Sequence, residues 1–301
     1  MSRTNRLFLV TGASGFVGRA LVDRLVGDGA TVHGVSRVGA GDRRAAWSQV
    51  DLVDRQSVRD LIETTRPDVV FNLAGRVTGE RALDQVRPTL SANLLATANL
   101  LEAVAEVGCE RFVQIGSLEE PEGVEEPPNS PYAAAKAAST AYALMFERLF
   151  SVPATVARLF MVYGPGPGPA TRLIPRVITS VLTGAELKLT SGERPIDWIY
   201  LADVVEGLVR IAGPNALRGK VVDLGSGLLV PAKEVVEKLF ALLEVKVPPP
   251  FGTLPDRPFE RVRAADIAQT EAMLGWRPET DLDTGLAATV DWHRRGLAGS
   301  I

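Results

Sequence analysis

Ser117, Tyr132 and Lys136 are the residues whose types and spacing point most directly to chemistry. Tyr132 and Lys136 stand at i and i+4, so a helix through them carries both on one face. An ammonium beside a phenol lowers the phenol pKa from about 10 toward neutrality. Tyr132 then becomes usable as a general acid or base. Ser117 ends the apolar run Phe112-Val113-Gln114-Ile115-Gly116-Ser117, and its hydroxyl could hydrogen-bond the oxygen that gains or loses the proton. Ser130-Pro131 opens the helix, since serine caps well and proline suits the first helical position. Glu119 is a further candidate acid, in an acidic stretch to Pro131 that reads as a solvated loop beside the site.

A second constellation lies near the N-terminus. Residues 10 to 18 read Val-Thr-Gly-Ala-Ser-Gly-Phe-Val-Gly, with Gly12, Gly15 and Gly18 between a strand-like and a helix-like run. Gly12 permits the tight turn, Gly15 lets backbone approach a pyrophosphate, and Gly18 lets helix pack on strand. The helix N-terminus then offers free N–H groups and a positive dipole end to phosphates. The position that would grip a ribose 2′-hydroxyl with an acid is Ser36, followed by Arg37, with Arg43 and Arg44 nearby. Serine does not repel a 2′-phosphate and arginine pairs with one, so NADP(H) is favoured over NAD(H).

Positioning these residues takes an alternation of strands and helices. Strand-like runs are read at Leu7 to Val10, Thr31 to Val35, Gln49 to Leu52, Pro67 to Leu73, Arg111 to Ile115 and Ala154 to Phe160. Helical spacing is read at Phe16 to Val26, Val58 to Ile62, Leu90 to Val107 and Pro131 to Phe150. The pattern predicts an α/β fold, a doubly wound parallel sheet (Rossmann fold) with helices on both faces. After Tyr163 the texture changes to Pro/Gly loops and short mixed elements. A dinucleotide-binding domain is expected over 1–165, and a smaller mixed substrate-binding region, partly interleaved with it, over 166–301.

Composition removes other chemistries. The 301 residues carry 33 Lys plus Arg against 36 Asp plus Glu, with no long basic tract, so neither nucleic acid nor a membrane surface is an expected partner. One cysteine, Cys109, excludes an internal disulfide and fits a reducing compartment. Two histidines, His33 and His293, leave no metal site built on several His or Cys ligands. No apolar stretch is long enough to span a membrane or form a signal core, so a cytoplasmic protein is expected.

Together these pieces resemble the extended short-chain dehydrogenase/reductase family, the NAD-dependent epimerase/dehydratase group. The resemblance runs along nearly the whole chain. It rests on Thr11 to Gly18, Asp51-Leu52, Asn72-Leu73-Ala74-Gly75, Asn93, Ser117 and Tyr132-x-x-x-Lys136. It continues through Arg158 to Pro165, Asp197-Trp198-Ile199-Tyr200-Leu201-Ala202-Asp203, Arg257-Pro258-Phe259-Glu260, Ala265-Asp266-Ile267 and Leu274 to Pro278. The resemblance implies cofactor contacts from Gly12, Ser14, Gly15, Phe16, Val17 and Gly18, with Asp51 and Leu52 at adenine. It places Leu73, Ala74, Gly75, Asn93, Phe160 and Val162 along the cofactor and Lys136 on the nicotinamide ribose. It also implies a nucleotide-diphosphate sugar as substrate and a homodimer through the two long helices.

This chain departs from the family at two substrate positions. Ile196 stands where the family has arginine, with Arg194 two residues earlier, and Met161 replaces an asparagine; Arg257 matches a diphosphate-binding position. Relatives that eliminate water carry an Asp-Glu pair after the catalytic Ser or Thr, whereas this chain has Leu118-Glu119. Gly116-Ser117-Leu118-Glu119-Glu120 is instead close to the reductase motif Gly-Ser-Ser-Glu-Glu. The expected reaction is NADPH-dependent reduction of a 4-keto-6-deoxy sugar nucleotide. A redox-neutral 4-epimerase, a dehydratase or decarboxylase using Glu119, and a non-catalytic NADP-binding sensor remain open.

Overall fold

The computed structural model describes residues 6–39, 41, 43–123, 125–213 and 217–298. The chain begins with β1 (Leu7–Thr11), α1 (Phe16–Gly27), β2 (Thr31–Ser36), β3 (Ala46–Gln49), α2 (Arg55–Thr65) and β4 (Val69–Asn72). A helical stretch follows: α3 (Val86–Thr89), a π-helical turn (Leu90–Leu95) and α4 (Ala96–Val107). Next come β5 (Arg111–Ser117), α5 (Pro131–Phe150), β6 (Ala154–Leu159) and β7 (Met161–Tyr163). The remainder is α6 (Leu173–Thr183), β8 (Pro195–Tyr200), α7 (Leu201–Ile211), β9 (Val221–Leu224), β10 (Leu229–Pro231), α8 (Ala232–Leu242), α9 (Ile267–Leu274) and α10 (Leu282–Ala298).

The main sheet has seven strands in the order β3-β2-β1-β4-β5-β6-β9, all paired in parallel. β4 and β5 are buried at every position, as strands covered on both faces must be. One core, with Leu21, Val113, Leu208 and Trp276, fills one face; another, with Leu9, Ile62, Leu100 and Phe112, fills the other. A small sheet, β10-β8-β7, packs with α6, α8 and α10 around a third core containing Ile178, Leu239 and Leu286. The doubly wound parallel sheet with a mixed second region is therefore the observed architecture. Among the described residues no helix is long and apolar enough to cross a membrane.

Local chemistry explains the boundaries. Ser130 caps α5 by accepting from the Ala133 amide at 3.1 Å, and Pro131 sits in its first turn. Asp54 caps α2 by accepting from the Gln56 amide at 3.1 Å.

Two elements differ from the sequence expectation. The third strand is Ala46–Gln49, not Gln49 to Leu52. The Asp54 amide bonds the Asp51 carbonyl and the Asp51 carboxylate accepts from the Val53 amide, so the chain turns out of the sheet there. Leu52 is buried all the same, in the core beneath α2, and that is the source of its strand-like signal. The helix expected over Leu90 to Val107 opens as a π turn before α4. Its Asn93 carbonyl accepts from Thr97 Oγ1 at 2.6 Å and Ser139 Oγ at 3.0 Å. A π turn inside a helix frequently marks a functional position.

β9 belongs to the main sheet although it lies far beyond residue 165. Val221 to Leu224 pair with Val156 to Leu159 along β6.

Candidate active site

The candidate residues gather at the carboxyl ends of the parallel strands, where ligands bind in open α/β sheets. The Gly turn follows β1, Ser36-Arg37 closes β2, Leu73 to Gly75 follow β4, Ser117 ends β5, and Phe160 and Val162 follow β6. Behind them a buried polar chain ties the strand ends together. Thr11 Oγ1 donates to Asn72 Oδ1 at 2.8 Å, and Asn72 Nδ2 donates to Gln114 Oε1 at 2.8 Å and Thr97 Oγ1 at 3.0 Å. The Ala74 amide donates to Thr11 Oγ1 at 3.1 Å, which aims the loop after β4 at the Gly turn.

The Gly turn has the form that a phosphate cradle needs. Gly12 has φ +64°, and a Cβ there would stand 2.8 Å from the Ala74 nitrogen and the Leu73 carbonyl carbon. The Gly15 amide closes the turn on the Gly12 carbonyl at 2.9 Å. A Cβ on Gly18 would overlap the Gly12 carbonyl oxygen. Gly15 caps α1 with no side-chain bond, and the first turn carries no acid, so its N–H groups and dipole are not neutralised. Ser14, Phe16 and Val17 are partly exposed there. Gly166 and Gly168, in the loop after β7, lie over the Phe16 ring, their Cβ positions 3.4 and 3.5 Å from it.

At the ribose end, the Ser36 hydroxyl donates to the Gly39 carbonyl at 2.7 Å, and Arg37 is exposed. Asp51 is exposed and Leu52 buried, on the turn held by Asn99 Nδ2, which donates to the Leu52 carbonyl at 2.9 Å. These residues fit a dinucleotide, with uncapped amides for its phosphates and a surface cation at the ribose. Asn93 Oδ1 adds a buried acceptor without a partner, beside Gly75 and near the Lys136 ammonium. Such an acceptor calls for a ligand hydroxyl or an ordered water.

Tyr132 and Lys136 are buried together on one face of α5. Ser117 lies close enough to the Tyr132 phenol to bear on its titration. Burial raises the phenol pKa, partly offset by the Ser117 side chain and by the nearby Arg172 guanidinium, while Glu120 and Glu119 add to the rise. Lys136 Nζ donates to the Ile115 carbonyl at 2.8 Å, and burial pushes its pKa down to about 8. The cation whose field bears most on Tyr132 is thus Arg172, just before α6, and not Lys136, which spacing suggests; burial leaves the phenol above its ordinary value, not lowered toward neutrality as expected.

Arg172 and Glu120 are residues that sequence reasoning missed. Arg172 sits in a Pro/Gly-rich loop with no spacing relation to Tyr132. Glu120 closes the run likened to the reductase motif but is given no role there; it is 2% exposed and accepts from the Ser117 amide at 2.6 Å.

Glu119 and Arg194, read separately as a candidate acid and a substrate contact, are brought together as a pair. Arg194 Nη2 meets Glu119 Oε1 at 2.9 Å with both side chains largely buried. Asn129 Nδ2 donates to Glu119 Oε2 at 3.0 Å, and Arg194 also bonds the Arg261 carbonyl at 2.7 Å. Arg257 is exposed with its guanidinium against Gly79. Met161 is half-buried and Ile196 buried, on neighbouring strands β7 and β8. Asp197 of the Asp-Trp motif is structural: it accepts from the amides of Ser226, Gly227 and Ala265 at 2.6 to 2.9 Å.

Comparison with known proteins identifies the family. The model of the NAD dependent epimerase/dehydratase family matches residues 8–225. The chain is 28% identical to a UDP-glucose 4-epimerase of Mycolicibacterium smegmatis, over 95% of this chain and 98% of that one. It is 30% identical to a dTDP-glucose 4,6-dehydratase of Actinoplanes sp., over 95% and 97% of the two chains. Among solved structures it is similar to MoeE5 in complex with UDP-glucose and NAD, with a TM-score of 0.86, 30% identity, and 96% and 99% of the chains covered. A Thermotoga maritima UDP-glucose 4-epimerase bound to UDP-glucose superposes equally well, with a TM-score of 0.86, 26% identity, and 97% and 99% covered. This chain belongs to the NAD dependent epimerase/dehydratase family, enzymes of the extended short-chain dehydrogenase/reductase type.

Proposed function

We propose that this chain moves a hydride between a nicotinamide dinucleotide and a ring carbon of a nucleotide-diphosphate sugar, without eliminating water. The observation that carries this reading is the set of proton-transfer groups at the end of β5. Tyr132 is buried beside Ser117, while apolar Leu118 and salt-bridged Glu119 stand where elimination needs free acids. Reduction of a 4-keto-6-deoxy sugar is the reaction we infer, on the Gly116-Ser117-Leu118-Glu119-Glu120 run close to the reductase motif. Burial holds the Tyr132 phenol protonated, the form that donates to a ketone oxygen.

Bound at the Gly turn, the nicotinamide dinucleotide supplies the hydride. Gly12, Ser14, Gly15, Phe16, Val17 and Gly18 hold its phosphates, with Ser36 and Arg37 at the ribose and Asp51 and Leu52 at adenine. Leu73, Ala74, Gly75, Asn93, Phe160 and Val162 line its path to Lys136. Tyr132 gives its proton to the oxygen of the reacting carbon, and Ser117 hydrogen-bonds that oxygen. Residues 166–301 carry the sugar nucleotide, with Arg257 as a contact, and Met161 just before them is a further one. Arg194, held by Glu119 and the Arg261 carbonyl, shapes the same wall.

Ser36 and exposed Arg37 support NADPH as the reductant. Arg37→Ala is expected to weaken NADPH binding about tenfold, the worth of one charge-assisted hydrogen bond, and to leave NADH binding within about twofold. Equal effects on both would remove the NADP reading. A redox-neutral 4-epimerase is the second reading, supported by the UDP-glucose 4-epimerases similar to this chain over nearly its whole length. Mass spectrometry of the denatured protein separates the two. Stoichiometric bound NAD+ or NADP+ favours epimerisation; an empty protein that binds NADPH reversibly and reduces 4-keto sugar nucleotides supports the reductase.

A homodimer is part of this proposal. Val86, Leu90 and Leu95 before α4, with Tyr142, Leu149 and Phe150 on α5, are large apolar residues left 40–65% exposed. Sedimentation velocity is expected to give twice the 32.2 kDa chain mass. A Leu149→Glu, Phe150→Glu variant is expected to sediment as a monomer; an unchanged dimer would move the interface elsewhere.

A further inference from the structure

The end of β5 is held from one side by two opposite charges. Along β5, the amides of Phe112 and Leu118 donate to the Pro153 and Leu159 carbonyls on the β6 side, at 3.0 Å each. The Arg111 amide donates instead to the Asp68 carbonyl on the β4 side. Odd-numbered residues of β5 therefore turn N–H and C=O toward β4. That pairing stops at Asn72 opposite Gln114. Beyond it, the Ile115 carbonyl and Ser117 face ladder positions that β4 has left.

Side chains fill the vacated edge. Lys136 Nζ donates to the Ile115 carbonyl at 2.8 Å, beside a weaker bond from Gln114 Nε2 at 3.1 Å. Glu120 Oε1 accepts from the Ser117 amide at 2.6 Å. Glu120 and Lys136 are only 2% and 4% exposed. The carboxylate fits because residue 116 is glycine: a Cβ there would stand 2.7 Å from Glu120 Oε1. A carboxylate and an ammonium this deeply buried each need an opposite charge nearby. Each is bound to the strand's backbone, two residues apart on the same edge.

We propose that Glu120 is a positioning residue for proton transfer, fixing Ser117 through its amide and supplying the buried counter-charge that keeps the Lys136 ammonium charged. The inference rests on the proposed role of Tyr132, but its test needs no sugar substrate. Burial pushes the Lys136 pKa down to about 8, and the Glu120 charge opposes that fall. The other polar groups around the pair are Tyr132 on α5 and the Asn93 amide beside Gly75. Arg172 and Glu119 act on Tyr132.

Glu120→Gln keeps an acceptor for the Ser117 amide and removes the charge. In lysine-selectively 13C-labelled protein, the Cε resonance that disappears in Lys136→Arg reports the Lys136 titration. Its midpoint is expected near 8 in the wild type and about one pH unit lower in Glu120→Gln. Gly116→Ala, which drives the carboxylate off the strand, is expected to move it the same way and serves if the glutamine variant does not fold. An unmoved midpoint in a folded variant overturns the proposal and leaves Glu120 a brace. A shifted midpoint in a protein whose Tyr132→Phe variant still turns over would sink the hydride-transfer reading while sparing this one.

Discussion

Tyr132→Phe is expected to lower turnover about 10²- to 10⁴-fold, the range of a lost general acid. NADPH affinity and the melting temperature stay near the wild-type values, because the ring still fills its buried place on α5. The fold gives up only the contact of the phenol oxygen with its Ser117 neighbour. Steady-state rates on a 4-keto sugar nucleotide, with a parallel NADPH titration, make the measurement. The same assay tests Glu119. Its carboxylate is occupied by Arg194 and Asn129, so Glu119→Gln is expected to keep turnover within about tenfold, below the range of a lost general acid. A loss as deep as that of the tyrosine variant would make Glu119 an acid in its own right and return elimination to the front. Retained activity in Tyr132→Phe would remove the mechanism.

Gly18→Ala carries the largest structural effect. The added methyl overlaps the Gly12 carbonyl, a backbone atom that cannot rotate away. Either α1 moves off β1 or the Gly turn opens. Overpacking of this kind costs about 3 kcal/mol, which lowers the melting temperature of a chain this size by roughly 6–12 °C. Dinucleotide binding is expected to be lost as well, since α1's first amides are aimed by this close approach. Thermal denaturation and fluorescence titration with NADPH read the two effects separately. A variant that melts and binds like the wild type would show that the close packing of helix on strand is not required.

Much of this is legible in the chain itself. The Gly12, Gly15 and Gly18 spacing carries its own steric reason, and the Ser130-Pro131 start of α5 is written in two residues. The apolar runs Val69 to Asn72 and Phe112 to Ile115 read as buried parallel strands because nothing in them faces water. Hydropathy puts the third strand too late because burial of Leu52 and strand pairing are different things, and hydropathy reports only burial. The π turn at Asn93 goes unread because it is confined to Leu90–Leu95, and in an Ala/Leu-rich stretch apolar on more than one side a change of phase does not stand out. Glu120 lies three residues from Ser117 and inside the motif-like run, but an acidic stretch does not show which of its acids is buried against the strand. Arg172 stays hidden for another reason: its importance comes from where a distant loop folds back on Tyr132, a long-range relation that neither periodicity nor motif encodes. The Glu119–Arg194 pair is of the same kind, joining the loop after β5 to the residues before β8.

The place of β9 beside β6 bears on how this molecule is made. A ribosome completes β6 at Leu159, but the strand that closes its outer edge ends only at Leu224. Through that interval the nascent sheet carries a row of unanswered amides and carbonyls along a buried-type strand. Such an edge is the usual template for pairing with a neighbouring chain. The main sheet is therefore incomplete until β9 is made, and its exposure to misassembly lasts as long as residues 160–224 take to emerge.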